Sequence, residues 1–313
     1  MFKRVLIPLD GSQFAEKVLE ELPRVIEPGK SWIELVGVLE VSRYVASVSE
    51  YGPLQVMADV RAQYEAYFLK MRQLLQDRGY WVNTAIVEGD AAEEIINSAN
   101  VSEADLIAMT THGRSGIARW TLGSIADRVI QNTVLPVLLV RSQTTTRRDE
   151  IKTILVPLDG SALSEKALPY ARMLAREHQA TIRLLQAVSP SDVEYAVTRM
   201  PTQSETDRAL QRRFLLSDGY LDHVAAELRG NAIKVQTDVV LGDPARCIVE
   251  EAEKHTADIV VISTHGRTGF SRWVHGSVAN HVIRSVPVPV LVVRGITDED
   301  EIEKVDGAER VVA

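Results

Sequence analysis

Ala104-Asp105-Leu106-Ile107-Ala108-Met109-Thr110-Thr111-His112-Gly113-Arg114 is an apolar run that breaks into a hydroxyl, histidine and glycine cluster, and the chain contains it twice. The apolar part returns as Ala257-Asp258-Ile259-Val260-Val261-Ile262. The polar part returns as Thr264-His265-Gly266-Arg267. An apolar run of this length, ending in glycine, reads as a strand buried on both faces that opens into a loop. From Thr111 to Ala126 the repeat extends over 16 positions, of which 10 are identical in Thr264 to Ala279, at an offset of 153 residues. Trp120 and Trp273, Gly123-Ser124 and Gly276-Ser277 all recur. The Gly89-Asp90 and Gly242-Asp243 pairs keep the same offset. Pro8-Leu9-Asp10-Gly11-Ser12 and Pro157-Leu158-Asp159-Gly160-Ser161 repeat at 149. A repeat this long is a domain with its own core, not a solenoid unit.

Around these signatures each copy alternates short apolar strands with helical patterns. In the first copy, Val5 to Leu9, Ile33 to Leu39, Val82 to Val87, Ala104 to Met109 and Pro136 to Val140 read as strands. The intervening helices are predicted to bury Phe14, Val18, Leu22 and Val25, and then Val60, Tyr64, Tyr67, Met71 and Leu74. In the second copy the first helix is predicted to bury Leu163, Ala167, Ala171 and Leu174. Pro23 and Pro169 each predict a kink or break. The order βαβαβαβαβ implies two Rossmann-like, flavodoxin-like α/β domains, each a five-stranded parallel sheet with helices on both faces. The polar, threonine-rich stretch Ser142 to Glu150 sets the expected boundary: residues 1–145, residues 146–297 and an acidic tail over 298–313. The last strands, Val137 to Val140 and Val290 to Val293, are expected to pair the two domains as an internal pseudo-dimer, since apolar edges left open invite association. A further homodimer is compatible with this arrangement.

The chain has 313 residues and a net charge of −8, with 45% hydrophobic and 25% charged residues. That balance argues against general binding of nucleic acid or an anionic membrane. The single cysteine, Cys247, excludes an intrachain disulfide and a thiolate metal cluster. No apolar run approaches the roughly 18 residues of a membrane span. With no signal-peptide pattern at Met1 to Val5, the expected compartment is the cytoplasm.

Chemistry is expected where strands end. In an open parallel sheet, ligands lie at the carboxyl ends of strands where the strand order reverses, and both signatures fall at such ends. The helices predicted to start at Gly123-Ser124 and Gly276-Ser277 offer free N–H groups and the positive end of a dipole to an anion. Glycines at 113 and 123, and at 266 and 276, let main chain approach a phosphate. Each motif also has a structural reading. Asp-Gly-Ser after a strand is equally a turn with a helix cap, whereas Gly-Ser taken alone is more often a cap and His112 and His265 are more often hydrogen-bonded loop residues. Joint recurrence of the motifs favours a site. There is no Gly-x4-Gly-Lys-Ser/Thr loop, no Gly-x-Gly-x2-Gly after a strand and no nucleophile–base–orienter set.

Taken together, the motifs resemble those of the universal stress protein family, and the chain resembles a tandem two-domain member over nearly its whole length. The family's nucleotide-binding subgroup carries Gly-x2-Gly-x9-Gly-Ser/Thr. Gly113 with Gly123-Ser124, and Gly266 with Gly276-Ser277, match its last two elements, while Thr110 and Ser263 stand where the first glycine would be. The resemblance implies ATP or AMP on these loops, with or without Mg²⁺, and Asp10 and Asp159 facing the nucleotide. It also implies backbone contacts from Val38 and Val188 to adenine, and a role in sensing or regulating stress responses. A nucleotide-independent dimerisation or interaction module of the same fold is the alternative. An enzyme of the related hydrolase classes, at most a slow ATPase, is the third reading.

Overall fold

The computed structural model describes residues 1–40, 53–111, 122–141, 144, 150–189, 203–264 and 277–294. The loop residues His112, Gly113, Trp120, His265, Gly266, Trp273 and Gly276, most of the linker and the acidic tail lie outside them.

The first copy runs β1 (Arg4–Pro8), α1 (Gln13–Glu16), α2 (Val18–Glu21), a 3₁₀ turn over Leu22–Arg24 and β2 (Trp32–Leu39). It continues with α3 (Pro53–Asp77), β3 (Trp81–Glu88), α4 (Ala91–Val101), β4 (Leu106–Thr110), α5 (Ser124–Asn132) and β5 (Val137–Val140). Its strand order is β3-β2-β1-β4-β5, and every neighbouring pair is parallel. Val5, Leu6 and Ile7 follow one another and are all fully buried, as are Leu106 and Ile107. Consecutive residues on a strand point to opposite faces, so this burial requires cover on both. That cover comes from α3 against β2 and β3, α1 and α2 against β4, and α4 against β1 and β2 beside α5.

The second copy repeats the plan with β6 (Thr153–Pro157), α6 (Ala162–Glu165), α7 (Leu168–His178), β7 (Thr181–Val188) and α8 (Gln203–Gly230). Then come β8 (Lys234–Leu241), α9 (Pro244–Lys254), β9 (Ile259–Ser263), α10 (Ser277–Ser285) and β10 (Val290–Val293). Its strand order is β10-β9-β6-β7-β8. The chain divides into two compact units, Met1–Lys152 with Asp258–Val260 and Ile283–Leu291, and the remainder.

The helix after β1 differs from the sequence expectation. It breaks at Lys17, well before Pro23, which falls inside the 3₁₀ turn. Phe14 is 40% exposed, whereas Val18, Leu22 and Val25 are buried. In the second copy Pro169 occupies the first turn of α7, where its missing N–H costs no hydrogen bond. On α3 the buried stripe is Tyr64, Phe68, Met71 and Leu75, and Leu74 turns outward. Both stripes step by three and four residues and so keep one face of a 3.6-residue helix; which of them is buried is decided by how the helix is rotated against the sheet.

One packing exchange distinguishes the copies. Gly37, in the middle of β2, lies under two rings: a Cβ there would come within 2.7 Å of Tyr64 Cδ1 and 2.8 Å of Phe68 Cε2. At the matching places the second copy has Gln186, Ser217 and Leu221, all buried. The strand residue grew and the helix residues shrank, conserving filled volume. Gly37→Ala should therefore lower stability by about 1–3 kcal/mol through overpacking. A shift of the urea unfolding midpoint measures this, and an unchanged midpoint would show that the rings yield freely.

Candidate functional site

In the first copy β1 connects outward through β2 to β3, and β4 connects the other way to β5, so the order reverses between β1 and β4. Loops leaving these two neighbours must diverge, which opens a crevice at their carboxyl ends. The structure brings Asp10 to one side of it and Gly123-Ser124 to the other.

Asp10-Gly11-Ser12 is a built turn. The Ser12 N–H donates to Asp10 Oδ1 at 2.9 Å, Gly11 takes φ +82°, and Ser12 Oγ accepts from the Ala15 N–H at 3.2 Å to cap α1. In the second copy Ser161 donates to Asp159 Oδ1 twice, from N–H at 2.9 Å and from Oγ at 2.6 Å, and Gly160 takes φ +83°. Only glycine adopts this conformation without strain. The turn-and-cap reading thus holds for both signatures, and it leaves each aspartate at the mouth of the crevice.

The start of α5 is arranged differently. Gly123 is its N-cap, and the Gly123 N–H is anchored to Thr111 O at 2.8 Å, tying the helix start to the end of β4. Having no side chain, this N-cap makes no side-chain bond to the first turn. Every other helix that follows a strand end and has a described cap does have a side-chain acceptor: Ser12 on α1, Asp90 on α4, Ser161 on α6 and Asp243 on α9. Among the described residues, the N-cap of α5 thus supplies no side-chain acceptor to the first-turn amides. Thr110 and Thr111 are buried at the base of this loop. In the second copy Ser263 Oγ is buried and makes no hydrogen bond among the described residues, an orphaned hydroxyl beside the matching loop.

Val38 is half-buried near the end of β2. Its counterpart is Ala187, not Val188: the ladders match Trp32 with Arg4 and Thr181 with Thr153, and Gly89 and Gly242 donate to Leu39 O and Val188 O respectively. Val188 therefore occupies the place of Leu39, in the core at 1% exposure. Register along a strand decides which face a residue meets, and the variable stretch that follows hides the one-residue difference in a sequence comparison.

Two further repeated pairs border the site and were not singled out from sequence. Tyr220 donates to Glu165 Oε1 at 2.8 Å, and burial followed by this bond pushes its hydroxyl well above the ordinary tyrosine range. Tyr67, at the matching place on α3, is pushed the same way by burial and then by Glu16. The Tyr64 hydroxyl also donates to Asp10 O, at 3.3 Å. The signal was present in the sequence as identities at the repeat offsets, outside the glycine-rich segments. At the rim, Asp90 caps α4 and pairs with Arg128 of α5 at 2.8 Å. Among the described residues no group of three or more His, Cys, Asp or Glu side chains is placed to hold a metal ion, and no helix is long and apolar enough to cross a membrane.

A doubly wound α/β domain with a crevice at its switch point, built twice in one chain, defines the class. The sequence profile of the universal stress protein family matches residues 1–141 and again 150–294, and the chain belongs to that family. A universal stress protein of Methanocaldococcus jannaschii is 30% identical over 142 residues, covering 45% of this chain and 83% of its own. One of Mycobacterium tuberculosis is 28% identical over 226 residues, covering 70% of each chain. The crystal structure of a universal stress protein from Archaeoglobus fulgidus shares the fold, with a TM-score of 0.69 and 20% identity, over 94% of this chain and 97% of that one.

The Arg128 hydrogen bond, reinforced by the Glu93 and Ala92 amides, holds Asp90 below the ordinary carboxylate pKa. A depressed folded pKa contributes stability in full above the ordinary value of about 3.9, and loses it as pH falls through the lower folded value. The advantage of wild type over Asp90→Asn in urea unfolding should thus be constant near neutrality and disappear in acid. An advantage retained at about pH 2 would place its origin elsewhere.

Proposed function

We propose that this chain binds adenine nucleotide, ATP or AMP with or without Mg²⁺, and acts in the cytoplasm as a regulator or sensor of stress responses. What supports this reading is the start of α5, where the N-cap Gly123 offers no side-chain acceptor and is tied to the end of β4, the neighbour of the strand that leads into Asp10. Anions bind helix N-termini because amide donors and the dipole converge there. Phosphates lie on Gly113, Gly123 and Ser124 in the first copy and on Gly266, Gly276 and Ser277 in the second. Asp10 and Asp159 face the nucleotide, Val38 serves adenine through its backbone, and in the second copy Val188 or, by register, Ala187 does so. Any Mg²⁺ is held mainly by phosphate oxygens, with Asp10 or Asp159 as the protein ligand, since the described residues offer no cage of their own. Hydrolysis of ATP on these loops is at most slow. Nucleotide binding changes the surface that partners read.

A second reading, a nucleotide-independent interaction module, is favoured by Thr110 and Ser263 where the nucleotide-binding subgroup has its first glycine. Calorimetric titration of nucleotide-stripped protein with Mg-ATP, beside a Gly123→Asp/Gly276→Asp variant, separates the two. We expect micromolar binding that the carboxylates abolish while leaving the melting temperature near wild type. No heat and no thermal shift with intact protein would leave the interaction module as the better reading.

In either reading the tandem copies serve each other as an internal pseudo-dimer through Val137 to Val140 and Val290 to Val293, with room for a further homodimer. Cleavage at a protease site inserted near residue 145 should leave the halves eluting together on sizing. Halves that separate as stable monomers would remove the pseudo-dimer from the account.

A further inference from the structure

The copies part at the helix that follows the glycine loop. In the first, Arg128 in the second turn of α5 directs Nη1 to Asp90 Oδ2 at 2.8 Å, and its Nη2 lies 3.9 Å from Glu93 Oε1. Glu40 adds to its acidic surroundings. Asp90 uses its other oxygen to accept from the Ala92 and Glu93 N–H groups at 3.0 and 3.2 Å. One carboxylate thus caps α4 and fastens α5, the helix whose first turn forms the anion site.

In the second copy only the capping acid persists. His281 stands at the place of Arg128, Arg246 at that of Glu93 and Ser189 at that of Glu40. Asp243 accepts from the Arg246 N–H at 3.0 Å, while the Arg246 side chain runs along its own helix to Glu250 Oε1 at 2.6 Å. Among the described residues His281 is exposed and makes no ion pair with Asp243. The aspartate loops do not differ in this way, because both are fastened. Tyr64 holds Asp10 in the first, and Ser164 Oγ donates to Ser161 O at 2.8 Å and accepts from the Asp159 N–H at 3.4 Å in the second.

We propose that Arg128 is a positioning residue that docks α5 through Asp90, and that the two sites are consequently unequal, the first binding adenine nucleotide more tightly than the second. This rests on the reading that the Gly-Ser loops hold phosphate. Arg128 acts through Asp90 and not on the phosphate, since its charge is already engaged by carboxylates. A helix held in its binding position before ligand arrives carries less ordering cost at the moment of binding. Because the pair is exposed, its effect is a factor of a few and is screened by salt.

The test uses the full chain with one site disabled at a time, Gly276→Asp leaving the first and Gly123→Asp the second, titrated with Mg-ATP. At low salt the first site should bind about two- to five-fold more tightly, with the gap closing at about 0.5 M NaCl. Arg128→Ala added to Gly276→Asp should erase the gap without moving the melting temperature appreciably. Arg128→Lys should restore part of it, and His281→Arg added to Gly123→Asp should tighten the second site. Hydrogen exchange on the wild-type chain needs no variant: protection should appear at α5 at lower Mg-ATP concentration than at α10. Equal affinities, simultaneous protection, or a gap indifferent to Arg128 overturn this inference alone. Absence of any binding by the wild-type chain overturns the nucleotide reading and this inference with it.

Discussion

The pairing of β1 with β4, Val5 against Leu106 and Leu6 against Ile107, is the constraint on which the rest of each copy depends. These are the innermost strands, without exposed residues between Val5 and Ile7 or between Leu106 and Thr110. Burial on both faces forces helices above and below the sheet, and parallel strands force each helix to begin at a strand's carboxyl end. Because the chain leaves β1 and β4 in opposite directions, the loops after them diverge and cannot fill the space between. The β1–β4 pairing and the bond from the Gly123 N–H to Thr111 O put the segments that carry Asp10 and Gly123 at neighbouring strand ends, although more than a hundred residues separate them in sequence.

Within that frame helix caps distribute the polar chemistry. A helix that starts at a buried strand end exposes amide donors that need partners. Asp90, Asp243, Ser12 and Ser161 each satisfy such donors within the chain, whereas the N-cap of α5, Gly123, has no side chain with which to do so. Asp90 has a double duty, since the carboxylate that caps α4 also receives Arg128 from the neighbouring helix. A cap thereby becomes a joint between two helices.

Comparison of the copies shows which features the fold needs and which it only tolerates. The aspartate turn, the glycine-serine start, the Tyr-Glu pairs and the capping acids recur. The strand-to-helix packing was exchanged as a set, Gly37 with Tyr64 and Phe68 for Gln186 with Ser217 and Leu221. Core volume is conserved under such exchanges because interiors are close-packed and cavities are costly. The charges around Arg128 changed as a set too, and among the described residues no equivalent pair joins Asp243 to His281.

Much of this was legible in the residues. Two copies, five strands in each, the strand-end location of the signatures and the membership suggested by Gly113, Gly123-Ser124 and their repeats follow from patterning and spacing, which are local and periodic. Other features were not. The break at Lys17 ahead of Pro23, the stripe through Phe68 and Leu75, and the assignment of Ala187 to the place of Val38 depend on which face meets the sheet and on ladder register. The Tyr220–Glu165 bond and the Arg128–Asp90 joint connect residues distant in sequence. The sequence by itself determined the repeated parallel-sheet plan, because apolar periodicity and turn chemistry act over a few residues. Only the tertiary structure decided which strand ends lie side by side and which distant side chains bond, because those depend on distances set by packing the whole domain.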